Sequence, residues 1–219
     1  MIRLHHCKGT RSDRTLWLLY EIGVAFDLVV HPFDKSLRAP DYAALNPAGR
    51  VPALEIDGAV MTETGAIAEY LCETFPECGL GRVAGDADRR DWLVWIHFAE
   101  TVSQHCAALT QQHVAIYPAS ERSALIMSLE SRRLARVLSV INARLAHSGA
   151  YLLASGFSAA DIGVGQAVDM ARRFVDLSQV PRVAAWHARL FARPAAQRLA
   201  QVAGADLYDR EFYPVPEGP

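Results

Sequence analysis

The chain has 219 residues, 51% of them hydrophobic and 21% charged, with a formal net charge of −2; this is globular composition, with apolar surface enough for a core, and it excludes a disordered chain. The near-neutral balance gives no general pull toward nucleic acid or an anionic membrane. No apolar run reaches the roughly 18 residues of a bilayer span, and the opening "MIRLHHCKG" lacks the apolar stretch of a signal peptide.

The spacing predicts a strand over Ile2 to His6, then a helix whose apolar positions run from Thr15 through Leu16, Leu19 and Tyr20 to a stop at Gly23. "AFDLVVHPF" reads as a second strand ended near Pro32, followed by a polar stretch with a short helical patch and then the strand "VPALEI". Asp57-Gly58 signals a two-residue hairpin into "AVM", and Glu63-Thr64 opens a helix that Pro76 closes. These elements make a small mixed sheet with helices over residues 1–79. The glycine-rich Cys78 to Gly85 marks a boundary, and an all-helical domain is expected over 87–219.

Two long helices head that second domain, Asp88 to Gln112 and Glu121 to His147, expected as antiparallel neighbours. The second carries Leu125, Leu129, Leu134, Leu138, Ile141 and Leu145, with a slip between Leu129 and Leu134. Ser158-x-x-Asp161 has capping-box spacing before the apolar helix "IGVGQAVDMARRF", and shorter helices are expected over Val183 to Leu190 and Ala195 to Val202.

Four cysteines, Cys7, Cys72, Cys78 and Cys106, match neither a redox pair nor a zinc knuckle, so free thiols in a reducing cytoplasm are expected. His5 and Cys7 share a strand face while His6 points away, too few ligands for a metal, and none is expected. His97, His105 and His113 suggest a polar helix side, and Trp92 and Trp95 are read as core.

Three segments could carry chemistry. In "CKGTRSDRTLWLL" either Thr10 or Ser12 could cap the helix, leaving the other hydroxyl, near Arg11 and Arg14, to donate to an anion such as a thiolate. Val51-Pro52 reads as an edge-strand proline; if cis, it turns the Val51 backbone outward, where a peptide-shaped ligand could pair. Glu63-Thr64 sits at a helix N-terminus, a carboxylate site with Thr64 as extra donor and Glu63 able to meet an ammonium group.

With "TRSDRTLWLLYEIG", "NPAGRVPALEIDG", "TETGAIAEYL" and "FSAADI" in this order over essentially the whole chain, the sequence resembles the cytosolic glutathione S-transferases. The resemblance implies an α/β plus all-α fold, a thioredoxin-like domain with a mixed four-stranded sheet followed by a helical bundle. It implies a cis bond at Pro52, and glutathione as cosubstrate, held by Glu63 and Thr64 at its γ-glutamyl end, by Val51 beside Pro52 along its cysteinyl backbone, and by Arg50 at its glycyl carboxylate. It further implies a homodimer, a helical domain that supplies the electrophile pocket, and Ser158 and Asp161 in folding rather than catalysis.

Two departures stand out. The serine-type members place the activating serine four residues before the first-helix arginine; counting back from Arg14 gives Thr10, with Ser12 as the second candidate. The glutamyl contact is likewise threonine, Thr64, where serine is the commoner residue. The expected activity is a glutathione transferase that activates the thiol for attack on a small apolar electrophile, in detoxification. The alternatives are a non-enzymatic glutathione-binding or stress-associated protein, a glutathione-dependent isomerase, or a thiol reductase acting through Cys7.

Overall fold

A computed structural model describes residues 1–215. Strands β1 (Ile2–His6), β2 (Asp27–Val30), β3 (Ala53–Ile56) and β4 (Ala59–Met61) form one sheet in the order β2-β1-β3-β4. β1 is parallel to β2, whereas the β1/β3 and β3/β4 pairs are antiparallel. The inner strands carry fully buried Leu4 and Leu54, paired in register, and the edge strands are more exposed. The hairpin forms where Asp57-Gly58 announces it: both residues have positive φ, 52° and 79°, as a type I′ turn requires, and Ile56 pairs with Ala59.

Helix α1 (Ser12–Ile22) buries Leu16, Trp17, Leu18 and Leu19 and ends at Gly23, whose left-handed φ of 79° lets its N–H bond back to the Leu19 carbonyl. It begins one turn before the periodicity predicts, because its first turn buries polar residues, Ser12 and Arg14, which apolar spacing does not register. A 3-10 turn (Lys35–Arg38) and α2 (Pro40–Leu45) fill the polar stretch, and α3 (Thr64–Thr74) lies beside α1.

Contacts divide the described residues into two units, one of Met1–Asp86 with Phe191–Leu207, the other of Ala87–Leu190 with 208–215. The expected division at 1–79 and 87–219 puts residues 191–207 with the helices; here they belong with the sheet unit. There the Phe191 ring lies 5.2 Å from that of Trp17, and Arg193 meets the Glu21 carboxylate through two hydrogen bonds of 2.7 and 2.8 Å. The expected helix over Ala195 to Val202 is only α8 (Pro194–Gln197) plus a 3-10 turn, packed on α1.

The helical unit is built from α4 (Arg89–Thr110), α5 (Ala124–Ser148), α6 (Ala159–Ala171) and α7 (Pro181–Phe191). α4 and α5 are antiparallel: Asp91 pairs with Arg144 at 2.8 Å near one end and His105 with Glu130 at 2.6 Å near the other. The slip expected in α5 vanishes, because its buried seam runs Met127, Ser131, Leu134, Leu138, Ile141, Leu145; Leu125 is 73% exposed and Leu129 only half-buried. In α6 every residue but Gly163 and Asp169 is buried. Trp92 and Trp95 lie in the core, whereas the three histidines do not form a group: His97 is exposed, His105 is paired with Glu130, and His113 stacks on Phe174.

The capping box closes, with the Asp161 carboxylate accepting from Ser158 N at 3.0 Å. It does more than the box needs. Leu152 N and Trp186 Nε1 also donate to it, at 2.9 and 3.0 Å. Burial pushes the Asp161 pKa up, against these hydrogen bonds, which favour the ionised form. Among the described residues no helix is long and apolar enough to cross a membrane.

Candidate functional site

Sheet topology brings the three candidate segments to one end of the sheet. β1 runs antiparallel to β3 and β3 to β4, so the C-terminus of β1, the N-terminus of β3 and the C-terminus of β4 coincide. The Thr10 loop leaves the first, Arg50-Val51-Pro52 enters the second, and Glu63-Thr64 follows the third.

In the first loop, Gly9 has φ 77°, and a Cβ there would stand 3.2 Å from that of Leu207. The cap position of α1 is Arg11, which makes no side-chain cap bond; Thr10, just before it, does that work, its Oγ1 accepting from Ser12 N at 3.2 Å. Its proton is directed to the Cys7 carbonyl at 2.7 Å or toward Ser12 Oγ at 2.8 Å. A cap uses a lone pair and donation uses the proton, so one threonine serves both. Thr10 is 8% exposed and Ser12 0%. The Ser12 hydroxyl is enclosed by Cys7 N and Cys7 O, each at 3.1 Å, by His6 Nδ1 at 2.8 Å and by Thr10. It ties the loop to β1.

The Cys7 thiol is 2% exposed, and burial, with Asp13 and Asp34 nearby, pushes its pKa up to about 11. A thiol so placed is protonated at neutral pH and is a poor nucleophile.

His6, 0% exposed, is held neutral by burial, which lowers its pKa from 6.5 to about 4. Between these values the unfolded chain carries the extra proton, so stability falls as pH drops from 6.5 to 4, by about 3 kcal/mol for this group. The check is urea unfolding at pH 7, 5.5 and 4 of the native protein and His6→Gln. The variant should lose less stability on acidification; equal losses would show that His6 does not carry this dependence.

In the second segment the Val51-Pro52 bond is cis. The Arg50 carbonyl receives two hydrogen bonds, from Tyr42 Oη at 2.6 Å and Asn46 Nδ2 at 2.7 Å. Sequence reasoning missed both residues, which act through the backbone eight and four positions away and leave no motif. The Arg50 side chain is exposed, Val51 half-buried and Pro52 buried.

In the third, Glu63 is exposed and adopts φ 69°, ψ 112° just before α3, a conformation that costs a non-glycine residue about 1–3 kcal/mol. Thr64 follows, half-buried, its Oγ1 accepting from Arg14 Nη1 at 3.2 Å. Arg14, 5% exposed, is the second group the sequence did not single out for this role. One signal was present: Arg14 stands four residues before Leu18, on the buried side of α1. Among the described residues no three His, Cys, Asp or Glu gather as a metal site.

Comparison with known proteins decides the family. Residues 10–74 match the model of the glutathione S-transferase N-terminal domain, and residues 127–189 that of the C-terminal domain. Glutathione S-transferase 4 of Zea mays is 34% identical over 196 residues, 86% of each chain. The chain belongs to the cytosolic glutathione S-transferase family. Among solved structures of that family, the glutathione S-transferase from Xylella fastidiosa is 29% identical with a TM-score of 0.81, over 92% of this chain and 98% of that one. A sphingomonad glutathione S-transferase complexed with glutathione is 25% identical with a TM-score of 0.79, over 91% and 97%. The expected architecture, a thioredoxin-like domain with a four-stranded mixed sheet followed by a helical domain, is that of these relatives. As a member of this family the chain is an enzyme, a glutathione S-transferase.

Proposed function

We propose that this transferase binds glutathione at the end of the sheet described above, and that the Thr10 hydroxyl holds its sulfur as thiolate for attack on a small apolar electrophile. The observation that carries the reading is that the carbonyl which the Thr10 hydroxyl bonds at 2.7 Å has a second donor. That acceptor, the Cys7 carbonyl, also receives Thr10 N at 3.3 Å and keeps that bond when the hydroxyl turns to a thiolate. Donation to sulfur therefore leaves no buried acceptor unpaired. A charge-assisted bond of about 1.5–3 kcal/mol lowers a thiol pKa by about one to two units, which makes an appreciable fraction of thiolate near neutrality.

In this reading Glu63 meets the γ-glutamyl ammonium and Thr64, at the α3 N-terminus, its carboxylate. Val51 pairs through its backbone with the cysteinyl residue beside Pro52, and the exposed Arg50 side chain reaches the glycyl carboxylate. Ser12, wholly enclosed, shapes the loop and does not touch sulfur. The helical unit supplies the electrophile's contacts; a cavity of about 480 Å³ in that unit, lined by Arg122, Arg210, Asp209 and His113 among others, is too charged for that apolar substrate and is left unassigned. The protein acts as a cytoplasmic homodimer in detoxification. The reductase alternative is disfavoured by the protonated, buried Cys7 thiol.

The test is the ultraviolet difference absorbance of bound glutathione thiolate over about pH 5 to 9. A band appearing well below the pKa of free thiol in the native protein and in Ser12→Ala, but not in Thr10→Ala, is the expected result. Glutathione binding with no such band in the native protein would overturn thiolate activation by Thr10.

A further inference from the structure

We propose that Arg14 is a positioning residue that fixes the direction of the Thr64 hydroxyl proton and so makes the site select a ligand carrying a carboxylate there. This rests on the assignment of Thr64 to the γ-glutamyl end of glutathione.

The argument is one of proton counting. A guanidinium offers only donors and stays charged at any working pH. At 3.2 Å from Arg14 Nη1, Thr64 Oγ1 must therefore accept. A hydroxyl has two lone pairs and one proton; with Arg14 on a lone pair, the proton points away from Arg14. Thr64 is half-buried, so that side is reachable, and it is the first residue of α3, where backbone N–H groups also face outward unpaired by the helix. The β-branch restricts χ1, which reinforces the orientation.

Without Arg14 the same hydroxyl could as well accept from an ammonium or an amide. With it, Thr64 is committed to donating, and the guanidinium charge behind it favours an anion. Glu63, exposed at φ 69°, presents the opposite polarity beside it. An acceptor and a committed donor on adjacent residues match the ammonium and carboxylate of one α-amino acid end.

The experiment compares, by calorimetry, glutathione with its analogue in which the glutamyl α-carboxylate is an amide. The native protein should prefer glutathione about tenfold or more, the worth of one charge-assisted hydrogen bond. Arg14→Met should bring that ratio close to one, Thr64→Val should do the same, the pair together should go no further, and Arg14→Lys should restore part of it. A role confined to holding α1 against α3 would weaken both ligands equally and leave the ratio unchanged in Arg14→Met, which would overturn the inference. Should Arg14→Met fail to fold, Arg14→Gln decides: its amide can accept from Thr64 as well as donate to it, so a full native ratio there would also overturn the inference. A native protein that binds glutathione without preferring it over the amide would instead sink the assignment of the glutamyl end itself.

Discussion

Asp161→Ala is expected to destabilise the helical unit by about 4 kcal/mol, several times the cost of an ordinary cap. The carboxylate is 0% exposed and takes bonds from Leu152 N, Ser158 N, Ser158 Oγ and Trp186 Nε1. Alanine removes the acceptor while the donors stay buried, and each unpaired buried donor costs about 1–3 kcal/mol. Partial rearrangement recovers some of that sum. Ser158→Ala, which deletes a cap but leaves the carboxylate with its other partners, should cost about 1 kcal/mol. Urea unfolding followed by tryptophan fluorescence measures both, and Trp186 loses a direct partner only in the first. If the two variants proved equally stable, Asp161 would be a helix cap and nothing more.

Thr10→Val should lower kcat/KM at pH 6.5 by about 10- to 100-fold and move the acid limb of its pH profile up by about one to two units. Valine keeps the branched shape and deletes the hydroxyl, so under the proposed mechanism the loss is that of one charge-assisted bond to sulfur. The glutathione KM should change little, because in the proposed binding mode Arg50, Val51, Glu63 and Thr64 would hold the peptide on its other atoms. Thr10→Ser should retain the profile, since the serine hydroxyl can reach the same acceptors. The Ser12 N–H and the Cys7 carbonyl also lose a partner in Thr10→Val, at 3.2 and 2.7 Å, so a modest stability loss is expected alongside. A pH profile unmoved by Thr10→Val would remove Thr10 from the chemistry, whatever happened to stability.

Both predictions concern groups that the sequence located but whose surroundings it left open. Ser158-x-x-Asp161 is a local pattern, and the bond between its ends spans three residues. The donors Leu152 N and Trp186 Nε1 come from 9 and 25 residues away, and no spacing rule announces them. Likewise Thr10 and Ser12 are both hydroxyls in a polar loop, which the sequence ranks only by the count back from Arg14. Enclosure by Cys7 and His6 separates the 0% exposed serine from the threonine two residues before it.

What the sequence by itself determined are the features set by neighbours within a helical turn or a hairpin: the Asp57-Gly58 turn, the Gly23 stop, the capping box, the long paired helices, and the family to which four ordered motifs point. Chain-local sterics and hydrogen bonding decide those. The tertiary structure alone decided which side chains leave water and which atoms they then face. It buried Arg14 against Thr64, 50 residues on. It shut the Cys7 thiol away, replaced Leu129 by Met127 and Ser131 in the α5 seam, and returned residues 191–207 to the sheet unit. The physical reason is common to all of these: desolvation and the direction of a hydroxyl proton depend on groups brought together by the fold, from positions whose separation along the chain carries no periodicity.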